Sequence, residues 1–121
     1  MSADRMRRVD EAVREVLSDA LSEGLKDPRI GFVTVTDVKT TADLRHSRVF
    51  VTVLGDDAKR TATLDGLRSA HGLLQRRVGS QLRLKRTPTL EFVYDETTDR
   101  VINLEKILED VVPDAGPEER R

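Results

Sequence analysis

The stretch that decides the fold is residues 61–82, TATLDGLRSAHGLLQRRVGSQL. Leu64, Leu67, Ala70, Leu74, Val78 and Leu82 recur at spacings of mostly three and four, which is one face of an α-helix. Gly66, Gly72 and Gly79 interrupt that helix, and each interior glycine costs about 1 kcal/mol relative to alanine. Small residues hold the turn least firmly at Ser69-Ala70-His71-Gly72. Two helical pieces with a kink between them are therefore expected.

Upstream, Phe32–Val38 and Arg48–Leu54 are dominated by β-branched and aromatic residues, with Val33/Val35 and Val49/Val51/Val53 alternating. They read as two strands. The polar Lys39–His46 between them suits an antiparallel pair whose loop is longer than the tightest hairpins. Gly55-Asp56-Asp57 closes the second strand, and Pro88 opens a third at Leu90–Tyr94. At the amino end, Met6, Val9, Val13, Val16, Leu17, Ala20 and Leu21 form one apolar stripe. Asp4 is placed to cap that helix, and Gly24-Leu25 to stop it in a left-handed turn. Pro28 makes Lys26–Gly31 a turn.

Val101, Leu104, Leu108 and Val111 mark a final amphipathic helix before Pro113. Residues 1–112 then make one domain, and 113–121 are expected to be a short disordered tail. The order is αββααβα, an α+β domain whose three-stranded sheet packs against helices. The helical crossover between the second and third strands should return in the right-handed sense.

A chain of 121 residues suits a single domain. It has no Cys and two isolated His, which excludes disulfides, thiol catalysis and Cys-containing metal centres, and no metal site is expected. No apolar run exceeds three residues (Val49–Val51 and Phe92–Tyr94), whereas a membrane span needs about 20 and a signal peptide roughly 7 or more. A cytoplasmic protein without membrane contact is expected. Neither G-x-x-x-x-G-K-[ST] nor G-x-G-x-x-G occurs, so no nucleotide cofactor and no small-molecule substrate are expected.

The formal net charge is −1, but the charges are unevenly placed. Between Gly66 and Leu90 lie Arg68, Arg76, Arg77, Arg83, Lys85 and Arg86 with no acidic residue, whereas ten acids face four basic residues from Glu91 onward. Arg68, Gly72, Arg76, Gly79 and Arg83 fall at spacings that place them on one helical face, arginines alternating with bare backbone. Arginine forks match phosphates and glycines let a phosphate backbone approach. The same residues also suit a merely solvated helix face, and 16 Arg against 5 Lys is compatible with codon bias. Both readings stand at this level.

Elsewhere, Arg5, Arg7, Arg8 and Arg14 are interleaved with Glu11, Glu15 and Asp19 at pairing distances, which leaves Arg5, Arg7 and Arg8 as secondary RNA candidates. Asp43, His46 and Ser47 are neighbours in sequence, but closeness in a loop does not create an oriented base with oxyanion donors. His71, beside the predicted kink, suits a capping or partly buried imidazole better than a metal ligand. The carboxylates after Glu91 lack the short alternating loop of a calcium site.

Several segments in order, Lys26–Gly31, Val49–Gly55, Leu67–Gly72, Leu82–Leu84 and Pro88–Asp95, resemble the ribosome-binding factor A family from about Arg5 to Leu108. The resemblance implies a type II KH-like fold in which an Ala-x-Gly kink, matched by Ala70-His71-Gly72, replaces the usual Gly-x-x-Gly loop. No Gly-x-x-Gly occurs in the chain, unlike KH domains that clamp single strands through that loop.

It further implies an assembly factor that binds the free small (30S) ribosomal subunit and assists late maturation of 16S rRNA, including its 5′ end; a monomer that performs no chemistry is expected. Departure before translation and a link to cold adaptation belong to the same expectation. Family members commonly carry a basic residue where Gln75 stands; here Arg76-Arg77 follow. A protein-interaction module without RNA contact is the rival reading, and a small hydrolase using Asp43 and His46 a third.

Overall fold

The computed structural model describes residues 3–97. The elements are α1 (Ala3–Glu23), β1 (Val33–Thr40), β2 (His46–Val53), α2 (Asp57–Ser69), α3 (His71–Leu82) and β3 (Thr89–Tyr94). β2 lies between β1 and β3, antiparallel to the first and parallel to the second. A parallel neighbour needs a crossover, and α2–α3 supply it. This is the α+β, type II KH-like arrangement that the sequence predicts; the last predicted helix and the 113–121 tail lie outside the described residues.

The predicted apolar stripes form the core. Val13, Val16, Leu17 and Ala20 of α1 meet Leu64 and Leu67 of α2, Leu74 and Val78 of α3, and Val35, Val38, Val49, Val51, Leu90 and Phe92 of the sheet. Because strand side chains alternate, the inward row of β2 is Ser47, Val49, Val51 and Val53, while His46, Arg48, Phe50 and Thr52 point outward. Buried Ser47 pairs its hydroxyl with that of Thr40 at 2.8 Å.

Local chemistry differs from expectation at three places. The first helix already includes Ala3, so Asp4 sits in its first turn and pairs with Arg7 at 2.6 Å instead of capping it. β1 carries a bulge: Val35 pairs with Val51 and Asp37 with Phe50, leaving Thr36 as an extra residue. The bulge resets the alternation, so Val38 is buried along with Val35, a shift that simple period-two reading does not show. The second helical region starts at Asp57, earlier than its apolar stripe, because the Asp56 carboxylate accepts the Lys59 N–H at 2.9 Å.

Gly24 adopts φ +88° and Leu25 packs against the core, as the predicted stop requires. In the turn that follows, Asp27 accepts from the backbone and guanidinium of Arg29, at 2.7–3.0 Å, which holds its carboxyl down at about 2. The turn is tied to α2 by Thr63, whose fully buried hydroxyl accepts from Gly31 N–H at 3.2 Å and donates to the Arg29 carbonyl at 3.3 Å.

Candidate nucleic-acid interface

The kink is a single residue. Ala70 (φ −90°, ψ 3°) ends α2 and starts α3. Its N–H still reaches the Gly66 and Leu67 carbonyls at 3.0 and 3.1 Å, and its carbonyl accepts from Leu74 at 3.1 Å. The chain therefore bends without breaking, and Ala70 keeps the apolar stripe continuous from Leu67 to Leu74. His71 folds back so that Nδ1 meets the Arg68 carbonyl at 2.8 Å, adding a side-chain cap at the α2 terminus; a carbonyl partner makes that nitrogen the protonated one. The capping reading of His71 holds, and among the described residues there is no cluster able to ligate a metal.

The three glycines of this stretch have different neighbours. At Gly66 an added Cβ would lie 2.6 Å from Ile30 Cγ1, so this glycine lets the turn pack on α2. At Gly79 an added Cβ would collide with Thr87 Oγ1, so the backbone there is covered and is not the bare strip that the spacing suggested. Gly72 alone of the three faces open space, with only the Arg76 guanidinium, 3.7 Å away, beside it.

The arginines sort in the same way. Arg68 leans toward β3, donating to the Phe92 carbonyl at 3.3 Å and lying 3.8 Å from Asp65. Arg77 crosses to α1 and pairs with Glu23 at 2.6 Å; the contact holds the Glu23 carboxyl below its usual range and raises the guanidinium further. Arg76, Arg83, Lys85 and Arg86 are exposed and have no ion pair with the described residues.

Their positions follow from the chain between α3 and β3. Arg83 takes a left-handed conformation (φ 52°, ψ 42°), which ends α3 sharply. Leu84 then packs against the core, Thr87 fills the space over Gly79, and Pro88 is fully buried. Those three anchors leave Arg83, Lys85 and Arg86 projecting outward.

Leu73 is a feature the sequence reading passed over: it sits next to Gly72 and remains 53% exposed. Its only signal is that it lies off the apolar stripe, beside Leu74.

Matches to known proteins bear on this kinked, KH-like architecture. The family model described as ribosome-binding factor A matches residues 5–108. The chain belongs to the ribosome-binding factor A family. A ribosome-binding factor A from Geobacter sulfurreducens is 41% identical over 116 residues, covering 96% of this chain and 98% of that one. One from Geotalea uraniireducens is 45% identical over 107 residues, 88% of each chain.

Among solved structures, the ribosome-binding factor A crystal structure from Thermus thermophilus superposes with TM-score 0.64 at 25% identity, covering 74% of this chain and 94% of that one. A homology model of the Thermus thermophilus factor, fitted into a cryo-EM map of a complex with the 30S subunit, gives TM-score 0.59 at 25% identity, covering 80% of this chain and 98% of that one. The Ala-x-Gly kink expected from the resemblance, Ala70-His71-Gly72, coincides with the bend at Ala70.

The remaining candidates are separated by the fold. Arg7 is paired with Asp4 on α1, about 24 Å along the helix from the Glu23 where Arg77 docks. Arg5 and Arg8 share that first part of α1 and are exposed. Asp43, His46 and Ser47 are not assembled for catalysis. Asp43 is tied to the Thr41 hydroxyl and the Arg45 N–H, while exposed His46 and buried Ser47 point to opposite faces of β2. Among the described residues no helix is long and apolar enough to cross a membrane.

Proposed function

We propose that this protein binds the free small ribosomal subunit through 16S rRNA phosphates and assists late rRNA maturation without performing chemistry. Family membership and the 30S complex of a Thermus thermophilus relative support the partner. The observation that carries the contact surface is the group Arg76, Arg83, Lys85 and Arg86, exposed and unpaired among the described residues, beside the open Gly72 backbone. Guanidinium forks can engage phosphates in pairs, and an uncovered glycine lets the RNA backbone come near. Arg68 and Arg77 flank this group with part of their charge already committed to protein partners, and Arg5, Arg7 and Arg8, with Arg7 already paired to Asp4, lie apart on the first turns of α1.

Binding on this reading uses electrostatic release of counterions, so affinity falls steeply with salt. Co-sedimentation with purified small subunits across a salt series tests it. The double variant Arg76→Ala/Arg86→Ala should weaken binding and lower the slope of log affinity against log salt by about 1.5–2, near one per lost phosphate. An unchanged slope would remove both residues from the interface. Binding that persists unchanged into high salt would point to a protein contact instead.

A further inference from the structure

Among the described residues, two other than glycine take left-handed backbone, Leu44 (φ 60°) and Arg83 (φ 52°). That conformation sets Cβ against the following carbonyl, so it favours glycine over any other residue. At Leu44 the surrounding turn accounts for it. The Leu44 N–H donates to the Thr41 carbonyl at 2.8 Å, and the Asp43 carboxylate accepts from the Thr41 hydroxyl at 2.6 Å and the Arg45 N–H at 3.0 Å. The Leu44 side chain is itself half-buried.

Nothing in the fold accounts for Arg83 in the same way. Its side chain is exposed and makes no hydrogen bond, ion pair or ring contact with the described residues. The end of α1 shows what a helix stop in this chain otherwise uses: Gly24, at φ +88°, directly follows Glu23. Gly24 is followed by core-packed Leu25, as Arg83 is by core-packed Leu84. The two helix ends share one device and differ in the residue at its left-handed position. A cation favours the carbonyl end of a helix, but Lys85 and Arg86 follow within three residues. Charge at the helix end therefore does not require arginine at 83, and folding alone favours glycine there.

We infer that arginine stands at 83 for binding and against folding, its guanidinium contacting RNA phosphate where the two halves of the cationic surface meet. This rests on the RNA reading proposed above. Gly72, Arg76 and Arg83 lie four and seven residues apart and share the exposed side of α3. Lys85 and Arg86 project from the loop between the anchors Leu84 and Thr87. Arg83 is the one member that belongs to both the helical row and the loop. Its backbone is fixed by α3 on one side and by Leu84 on the other, so little freedom of the main chain is lost on binding. A guanidinium in that place can engage a phosphate through two parallel N–H bonds.

Urea unfolding and co-sedimentation of the full-length protein with purified small subunits, across a salt series, test this with Arg83→Gly, Arg83→Ala and Arg83→Lys. Arg83→Gly should be no less stable than the parent. Its folding equilibrium constant should exceed that of Arg83→Ala by about threefold or more, since only glycine relieves the left-handed turn. Subunit affinity should fall about tenfold in both, as a charge-assisted contact is lost, and the slope of log affinity against log salt should drop by about one. Arg83→Lys should keep the slope and recover part of the affinity. A less stable Arg83→Gly would show an arginine kept for the fold and overturn the inference. Affinity lost with an unchanged slope would point to a protein contact and overturn it too. Arg76→Ala/Arg86→Ala separates this inference from the reading beneath it. Where that double variant weakens binding and Arg83→Gly does not, the RNA surface stands and the role of Arg83 falls; where neither weakens binding, both fall.

Discussion

Replacing Gly72 or Gly66 by alanine is expected to move stability in opposite directions, although both lie in the same kinked helical stretch. In each case alanine recovers about 0.5–1 kcal/mol of helix preference. At Gly72 the new Cβ meets only Arg76 Nη1, at 3.7 Å, an ordinary contact, so the gain survives. At Gly66 the Cβ falls 2.6 Å from Ile30 Cγ1 and 3.4 Å from Arg29 Cβ. The backbone of Ile30 is held in its turn by a bond from its N–H to the Asp27 carbonyl at 3.1 Å, so the turn itself does not simply move away. Overpacking of this kind costs about 1–3 kcal/mol, which exceeds the gain.

Urea unfolding followed by circular dichroism should place the two variants about 1–3 kcal/mol apart on either side of the parent, with unchanged m-values. Small-subunit binding should follow a different pattern. Gly72→Ala is expected to weaken affinity by about threefold or more, roughly 0.7 kcal/mol, while it raises stability, because the added methyl stands where RNA would approach. Shifts of the same sign and size at the two glycines would refute the packing argument, and full binding by a stabilised Gly72→Ala would refute the role assigned to the open backbone.

Thr63→Val keeps the buried shape but removes the bonds to Gly31 N–H and the Arg29 carbonyl; unfolding should show a loss of about 1–3 kcal/mol, with Thr63→Ser losing less. Asp27, held at about 2 by Arg29 against an ordinary 3.8, contributes stability that is fully present above about pH 4 and is lost as pH falls toward 2. Asp27→Asn should therefore flatten that acid part of the stability profile, and a carboxyl titration by NMR should find the group well below its normal range. His46→Ala should leave stability within about 0.5 kcal/mol of the parent and preserve the ability to complement a strain lacking the native factor; loss of complementation in a folded variant would revive the hydrolytic reading of Asp43 and His46.

Periodicity made much of the architecture legible. The stripes beginning at Met6 and Leu64, the valines of β2 and the weak turn at Ala70 are all local patterns, and local patterns bury the same face wherever the helix or strand is placed. The bulge at Thr36 was not legible, because one extra residue in a strand is defined only by its partner's register. Asp4 had the right chemistry for a cap, but the helix had already begun at Ala3.

By itself, then, the sequence determined the element order, the kink and the concentration of cations around it. Only the tertiary structure decided which of those cations and glycines remain open. Arg76 and Arg77 are adjacent and chemically identical, yet Glu23 from α1 engages the second and not the first. Gly72 and Gly79 share a helix, yet Thr87 covers only the latter. In both cases the deciding neighbour comes from another part of the chain. Periodicity sets which way a residue faces, but what stands opposite it is fixed when the elements pack.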